Sequence, residues 1–501
     1  MHPLPQLTDP AFESGFERTA IPKNNSLRPI AVSLPSRHRL PTRDSTDRLC
    51  EECRLLPSMF HCMQTFFLSE PEIIYTQASE DIKMPLRFLL VSTHTEQMTG
   101  YSKVSHNLLR QLATLSPLVK VFHFGFQRAP MKVAKPMRQL PDGVVQYDAA
   151  LNEEPREEGF GFNKFKEYVD MVNPDIVMIY NDALIVNRFL SSLGLQNDES
   201  PRPSFKIWVY LDQVYKHNAA PLIHNIELFA DKIFAFTEAW KQHLITLLED
   251  PTHAEKVHVL EHGVDKSVFK PLAPQERATI RQGMGIPPDA KVFLNVNRNS
   301  DRKRLDLTVM AFVDLLKRHP EDPYYLTFVT TARPEIGATY DLMAIYHNEL
   351  KRMGLSAETY GKRLVIVDNG PPNLIVDDAI NHIYNACTIG INTSDGEGFG
   401  LCQLEHLATG APQVVLDVGD YRAFLDDECA AFVKPSQIRY LPARFGMGLY
   451  SESASPEEVA TGMEAALALD ASKCAKKVEK RSWSRICDPF LEMVAAATKK
   501  S

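Results

Sequence analysis

Two short stretches of this 501-residue chain concentrate groups able to handle a negatively charged ligand. The first is Asn297-Arg298-Asn299-Ser300-Asp301-Arg302-Lys303-Arg304, with four basic side chains in seven positions. Cations at that density can neutralise a diphosphate and stabilise its departure as a leaving group. The stretch falls where a strand gives way to a helix, and cations at a helix start oppose its dipole unless an anion is bound. A solvated helix start is the simpler alternative, and Asp301 and Asp306 soften the case for a ligand. The second stretch is Asn392-Thr393-Ser394-Asp395-Gly396-Glu397-Gly398-Phe399-Gly400-Leu401-Cys402-Gln403-Leu404-Glu405. A strand ends near Asn392, a glycine-rich loop follows, and a helix is expected from about Gly400. Free N–H groups at such a helix start form an anion site. Glu397 lies in the loop and Glu405 about one and a half turns into the helix, so at ~1.5 Å rise per residue they bracket a ligand rather than pair tightly. One carboxylate could accept from sugar hydroxyls and the other from a ribose; the alternative is an acidic, solvated loop.

The elements that must carry these stretches are visible as alternating apolar runs and helical patterns. Leu86–Ser92 reads as a buried strand. It is followed by a turn at Thr99-Gly100-Tyr101-Ser102 and a helix with Val104, Leu108, Leu109 and Leu112 on one face. Strand, glycine turn and helix open a doubly wound α/β domain. Further strands are expected at 118–124, 175–180, 206–211 and 232–236, with a helix over 165–172. Their continuously apolar character is that of parallel strands buried on both faces. After Glu261-His262-Gly263-Val264-Asp265 and the Pro271 to Pro274 segment the alternation restarts. Strands follow at 292–296, 325–330, 364–367, 389–392 and 413–416, with a helix carrying Leu305, Val309, Phe312 and Leu316. Two Rossmann-like domains in sequence are the architectural expectation.

Composition fits that picture. The hydrophobic fraction is 44% and the charged fraction 24%, values that allow a sizeable core. With 55 Lys plus Arg against 63 Asp plus Glu the formal charge is −8, which argues against a broadly basic nucleic-acid surface. No apolar run reaches the ~18 residues of a membrane span, and the N-terminal sequence lacks the apolar core of a secretory signal. Eight scattered cysteines suit reduced thiols, so a cytoplasmic location is expected. Residues 1–83 are rich in Pro, Ser, Thr and Arg and read as a largely disordered extension with one short helix over 55–67. There, Cys50, Cys53, His61 and Cys62 could be zinc ligands, but free cysteines are the expected state.

Taken together, the motifs resemble those of the retaining glycosyltransferases of family 4 (glycosyl transferases group 1), which have the GT-B fold. The resemblance lies in Glu397-Gly398-Phe399-Gly400-Leu401-x3-Glu405 followed by Ala408-x-Gly410-x-Pro412. It extends to Arg298 with Lys303 five residues later, to His262-Gly263-Val264-Asp265-x3-Phe269-x-Pro271, and to the Gly100 turn. It covers about residues 86–490. The implied organisation is an N-terminal extension (1–83), a Rossmann-like acceptor-side domain (84–272) and a Rossmann-like nucleotide-sugar-binding domain (273–475). A C-terminal helix (476–501) would cross back to the first domain.

The resemblance implies roles residue by residue. Arg298 and Lys303 would hold the donor diphosphate, together with backbone N–H groups of Gly398, Phe399, Gly400 and Leu401. Glu397 would contact the donor sugar and act in catalysis, Glu405 would take the ribose, and Gly100 would lie on the acceptor side. A sugar would pass with retention of anomeric configuration from a nucleotide diphosphate to a hydroxyl of a glycan, lipid or protein-linked acceptor. No metal and no cofactor are expected beyond that donor substrate; no nucleic-acid partner is expected, and peripheral membrane contact stays open. Many family members carry a His after a strand of the first domain; here Trp208-Val209-Tyr210-Leu211-Asp212-Gln213 offers Asp212 instead. Asp212 is therefore the second expected catalytic residue, or else it ends the strand. Pro371-Pro372 would line the base pocket, whereas His262, His382 and His406 read as satisfied surface or core histidines. The competing reading is a catalytically impaired sugar-nucleotide-binding or scaffolding protein of the same fold. Epimerases and phosphorylases share that fold too, but no epimerase catalytic pattern and no lysine anchor for pyridoxal phosphate is visible.

Overall fold

The structure, a computed structural model, describes residues 84–97, 99–128, 138–151, 153–216, 220–370, 373–441 and 450–498. The extension expected over 1–83, with its helix and its Cys/His group, and the Pro371-Pro372 turn lie outside these residues. Two parallel sheets organise the rest. The first contains β1 (Leu86–Thr93), β2 (Val119–Phe126), β3 (Val145–Asp148), β4 (Ile176–Asp182), β5 (Lys206–Asp212), β6 (Lys232–Ala235) and β7 (Val257–Val259), in the order β3-β2-β1-β4-β5-β6-β7. The second contains β8 (Lys291–Asn295), β9 (Tyr324–Thr330), β10 (Leu364–Asp368), β11 (Ile389–Asn392), β12 (Gln413–Leu416) and β13 (Ala430–Val433), in the order β10-β9-β8-β11-β12-β13. An antiparallel pair, β14 (Gln437–Tyr440) and β15 (Tyr450–Ser453), stands apart from both.

Side chains of a strand alternate between faces, so each apolar run feeds two cores. In β1, Phe88 and Leu90 join a core with Val104, Leu108 and Leu112 of the helix Gly100–Ala113. Leu89 and Val91 point the other way, into a core with Phe165, Val169, Phe189 and Ile226. The second sheet repeats this. Val292 and Leu294 share one cluster with Tyr384, Leu404 and Leu407, while Phe293 joins Val309, Phe312 and Leu316. Besides the pair β14 and β15, the strands of the two parallel sheets absent from the sequence reading are β3, β7 and β13, all of them sheet edges. They have only three or four residues, and β3 has no fully buried position. Such strands lack the continuous apolar signal of the central ones.

The two lobes are tied where the chain crosses between them twice. The amide of Val264 donates to the Arg481 carbonyl at 2.8 Å, and Arg481 pairs with Glu261 at 2.6 Å. Beyond that point the helix Trp483–Ala497 lies on the first lobe. Its Phe490 ring sits among Phe88, Trp208 and Phe234 at centroid distances of 6.2, 6.1 and 5.6 Å. In each sheet the strand order reverses beside the first strand: between β1 and β4, and between β8 and β11. Ligands of open α/β sheets bind beyond the carboxyl ends of the strands at that reversal. No helix of the described residues is long and apolar enough to cross a membrane.

Candidate functional site in the cleft between the lobes

The two stretches singled out in the sequence leave adjacent strands at the reversal of the second sheet. β8 ends at Asn295 and leads to Arg298 and Lys303; β11 ends at Asn392 and leads to the glycine-rich loop. Their side chains are then sorted. A one-turn 3-10 helix, Asp301–Lys303, is followed by Arg304 in the left-handed region (φ 46°), which sets the helix Leu305–Arg318. Arg304 turns to Asp306 (3.1 Å) and the Ser453 hydroxyl (3.1 Å), so it belongs to the scaffold. Arg302 donates to the Gly396 carbonyl and fixes the loop. Lys303 forms an ion pair with Glu397. Arg298 is exposed on the cavity wall, and its side chain has no hydrogen-bond or ion-pair partner among the described residues. Of the four basic residues, one is left open for a ligand.

The glycine-rich loop reaches the helix Leu401–Ala408 through Gly400 at φ 92°, a conformation that side chains rarely adopt, and a Cβ there would strike the Tyr421 ring. No side-chain oxygen caps this helix. Its first N–H groups and its dipole are therefore directed at whatever anion lies beyond Gly400. Asp212, at the end of β5 in the other lobe, presses against Gly398 so closely that any Cβ there would overlap its carboxylate. The Trp240 indole spans the same gap, donating to the Gly398 carbonyl at 2.7 Å.

All of these groups line one cavity of about 1010 Å³: Gly100, Asp212, Arg298, Lys303, Glu397, Gly398, Phe399, Gly400, Leu401 and Glu405. The two glutamates do not pair with each other. Glu397 has Lys303 and the Asn392 amide (3.3 Å), whereas Glu405 has Lys103 (2.6 Å) and the Tyr384 hydroxyl (3.0 Å). Burial pushes the Glu397 carboxyl up, but Lys303 and Arg302 outweigh it and hold the group below the usual range. Burial prevails at Glu405, raising it against the pull of Lys103. Burial also pulls the Lys303 ammonium down, only partly offset by Glu397, so a bound phosphate would favour its charged form. Asp212 is raised to about 6, chiefly by burial and against the hydrogen bond from Tyr101 and the charge of Arg302.

The histidines divide. His406 is satisfied by the Tyr384 carbonyl at 3.0 Å, and His382 is a partly exposed neighbour of Glu276 at 3.8 Å. His262 departs from the expectation of a satisfied core residue. It is 4% exposed, lines the cavity, packs on Phe236 and Phe399, and neither ring nitrogen has a hydrogen-bond partner. Burial pushes it down to about 3, so the ring is neutral. Tyr101, Lys103 and Tyr384 also line the cavity and were not singled out in the sequence, whereas Arg302 was, as one of the four basic residues. One signal was available for Lys103. It is a cation in the first turn of a helix, the anomaly that drew attention to Arg298.

No protein-family model matches the chain. Among curated proteins, the D-inositol 3-phosphate glycosyltransferase of Kineococcus radiotolerans is 33% identical over 204 residues, which are 40% of this chain and 43% of that protein. The chain thus spans less than half the length of the curated relative it matches. Among solved structures, the sucrose-phosphate synthase of Thermosynechococcus elongatus superposes with a TM-score of 0.60 at 15% identity, over 83% of this chain and all of that one. Anabaena HepE in complex with UDP-glucose superposes at 0.57 and 15% identity, over 82% of this chain and all of that one. The fold is GT-B. In that GT-B frame the cavity is the cleft between the two Rossmann-like lobes, and both sequence-read stretches open onto it.

Proposed function

We propose that the chain is a glycosyltransferase that moves a sugar from a nucleotide diphosphate sugar to an acceptor hydroxyl with retention of configuration. The observation that carries this reading is the convergence, at the strand-order reversal of the second sheet, of an open arginine, a buried lysine, an uncapped helix start and two separately paired glutamates in one cavity. Curated relatives named as glycosyltransferases and a GT-B neighbour solved with UDP-glucose support it.

In this reading the diphosphate lies against Arg298, Lys303 and the N–H groups from Gly398 to Leu401. As the bond from the anomeric carbon to the phosphate oxygen breaks, negative charge collects on the diphosphate, where these fixed donors stabilise it. Positive charge develops on the sugar ring, between Glu397 and Asp212. The acceptor hydroxyl forms the new bond to the anomeric carbon on the face the phosphate leaves, and its proton passes to the departing phosphate oxygen. Glu405 receives the ribose. Cations and a helix terminus fill the charge-neutralising role that a divalent metal has elsewhere, so no metal and no cofactor enter the scheme. The acceptor enters from the Gly100 side.

Calorimetric titration with UDP, GDP and ADP tests the donor site. Lys303→Ala is expected to weaken the preferred nucleotide about 10-fold or more, the usual loss for a charge-assisted hydrogen bond. Unchanged affinity in both Lys303→Ala and Arg298→Ala would show the diphosphate to be misplaced. Binding without transfer or hydrolysis of any nucleotide sugar, across a broad acceptor panel, would point instead to a scaffolding protein.

A further inference from the structure

Glu405 is 2% exposed, and both of its oxygens are already engaged. Oε2 accepts from the Tyr384 hydroxyl at 3.0 Å, within the same lobe. Oε1 accepts from Lys103 at 2.6 Å, and Lys103 belongs to the other lobe, 302 positions away in sequence. Among the described residues, every partner of the Lys103 ammonium lies across that boundary or in the connecting segment. These are Glu405, Asp377 at 3.2 Å, and the Phe269 ring, whose centre is 4.8 Å away. Its own helix offers it nothing, because a cation in the first turn faces the positive end of the dipole and that turn holds no acidic residue. A mostly buried ammonium in such a place is stable only through its partners.

From this geometry we infer that Lys103 is a positioning residue for the nucleotide: from the opposite lobe it fixes the carboxylate that takes the ribose. The inference rests on the donor site proposed above and extends it, because nucleotide affinity then depends on a side chain outside the nucleotide-binding lobe. A carboxylate oxygen carries two lone pairs, so Glu405 held by Lys103 and Tyr384 still has acceptor capacity for two ribose hydroxyls.

The charged and titratable groups facing Glu405 are Lys103 from the first lobe, Asp377 and Tyr384 from the helix Asp377–Ala386, and Cys402 on its own helix; Arg138 reaches the cluster through Asp377. Burial and Asp377 both raise the Glu405 carboxyl, and Lys103 is the cation opposing them. Without Lys103, Glu405 takes up its proton at a higher pH and loses an acceptor. Affinity for the nucleotide is then present at high pH and lost as pH falls.

The test is calorimetric titration of the full chain with UDP, GDP and ADP from about pH 6 to about pH 8.5. Lys103→Met is expected to bind the preferred nucleotide about 10-fold or more weakly, with affinity declining further toward acid pH. Lys103→Arg should recover most of the affinity and the parent's pH profile. Arg110→Met removes a different tie, the exposed pair of Arg110 with Asp265 at 3.0 Å, and should stay within about 2-fold of the parent, as expected for an exposed ion pair. If Lys103→Met fails to fold, Lys103→Gln, which keeps a donor but no charge, should still show the acid-side decline. Parent-like affinity and a parent-like pH profile in either neutral variant overturn the inference, as does an equal loss in Arg110→Met. A parent protein that binds none of the three nucleotides overturns the donor site itself, and the inference with it.

Discussion

The two sheets reverse their strand order in the same way, yet their helix starts at that reversal differ. In the first lobe the helix Gly100–Ala113 is closed by its own chain. Thr99 accepts from the Ser102 amide, Ser102 answers to the Thr99 amide, and the capping box is complete. In the second lobe the helix Leu401–Ala408 begins at Gly400, which has no side chain with which to cap it. Capping groups satisfy orphan N–H donors within the protein; a bare glycine leaves them to a ligand. Arg298 and Lys303 line the same cavity as the uncapped terminus, whereas Lys103, in the first turn of the capped helix, is taken up by Glu405 and Asp377. The first-lobe turn that corresponds to the one at Gly400, after β4, is closed as well, with Asp182 accepting from the Ile185 amide at 3.0 Å, so one topology yields an uncapped helix start in one lobe and capped ones in the other.

That contrast can be broken by experiment. The largest effect is expected from Arg298→Ala. It removes the open cation beside the uncapped helix and should lower turnover by about 10²–10³-fold, the usual cost of losing one preorganised charge-stabilising donor. Steady-state rates with saturating nucleotide sugar would check this. A moderate effect is expected from Asp212→Asn, on the first-lobe side of the contact with Gly398. Asp212 titrates at about 6. In its ionised form it can offset positive charge on the sugar, so the parent's kcat/KM should fall as pH drops through about 6 and the Asn variant should lack that inflection. Stability should move the other way. Because the folded carboxyl titrates above its unfolded value, ionising it destabilises the fold. The Asn variant should gain in Tm over the parent as pH rises from about 4 to about 6, with no further gain above. The smallest effect is expected from Thr99→Ala. Loss of the first-lobe cap should cost about 1 kcal/mol of stability in denaturant titration and leave nucleotide affinity unchanged.

Much of the architecture was legible because buried parallel strands leave apolar runs. β1, β5 and β11 were found to within a residue at each end. Both stretches that line the cavity were also legible, because Glu397 to Glu405 and Arg298 to Lys303 are each contiguous and each spans a strand-to-helix junction. What sequence could not show was how those side chains are divided. Arg304 and Asp306 look like part of the ligand cluster and instead pair with each other, a matter of the left-handed turn at Arg304. Lys103 and Glu405, or Asp212 and Gly398, meet only because two separately folded sheets close on one another, and no local pattern records that. The unpaired ring of His262 likewise follows from its aromatic surroundings, which come from both lobes and from the final helix.

The helix Trp483–Ala497 has a bearing on the order in which the molecule can be made. The first lobe spans β1 to β7, but the surface formed by Phe88, Trp208 and Phe234 is covered by Phe490, which leaves the ribosome more than two hundred residues after β7. At synthesis rates of about 5–20 residues per second, that face stays wet for some ten seconds or longer. A nascent chain must pass through this interval with three aromatic rings uncovered. Chaperone occupancy of stalled chains ending before and after Phe490 would reveal how the cell bridges it.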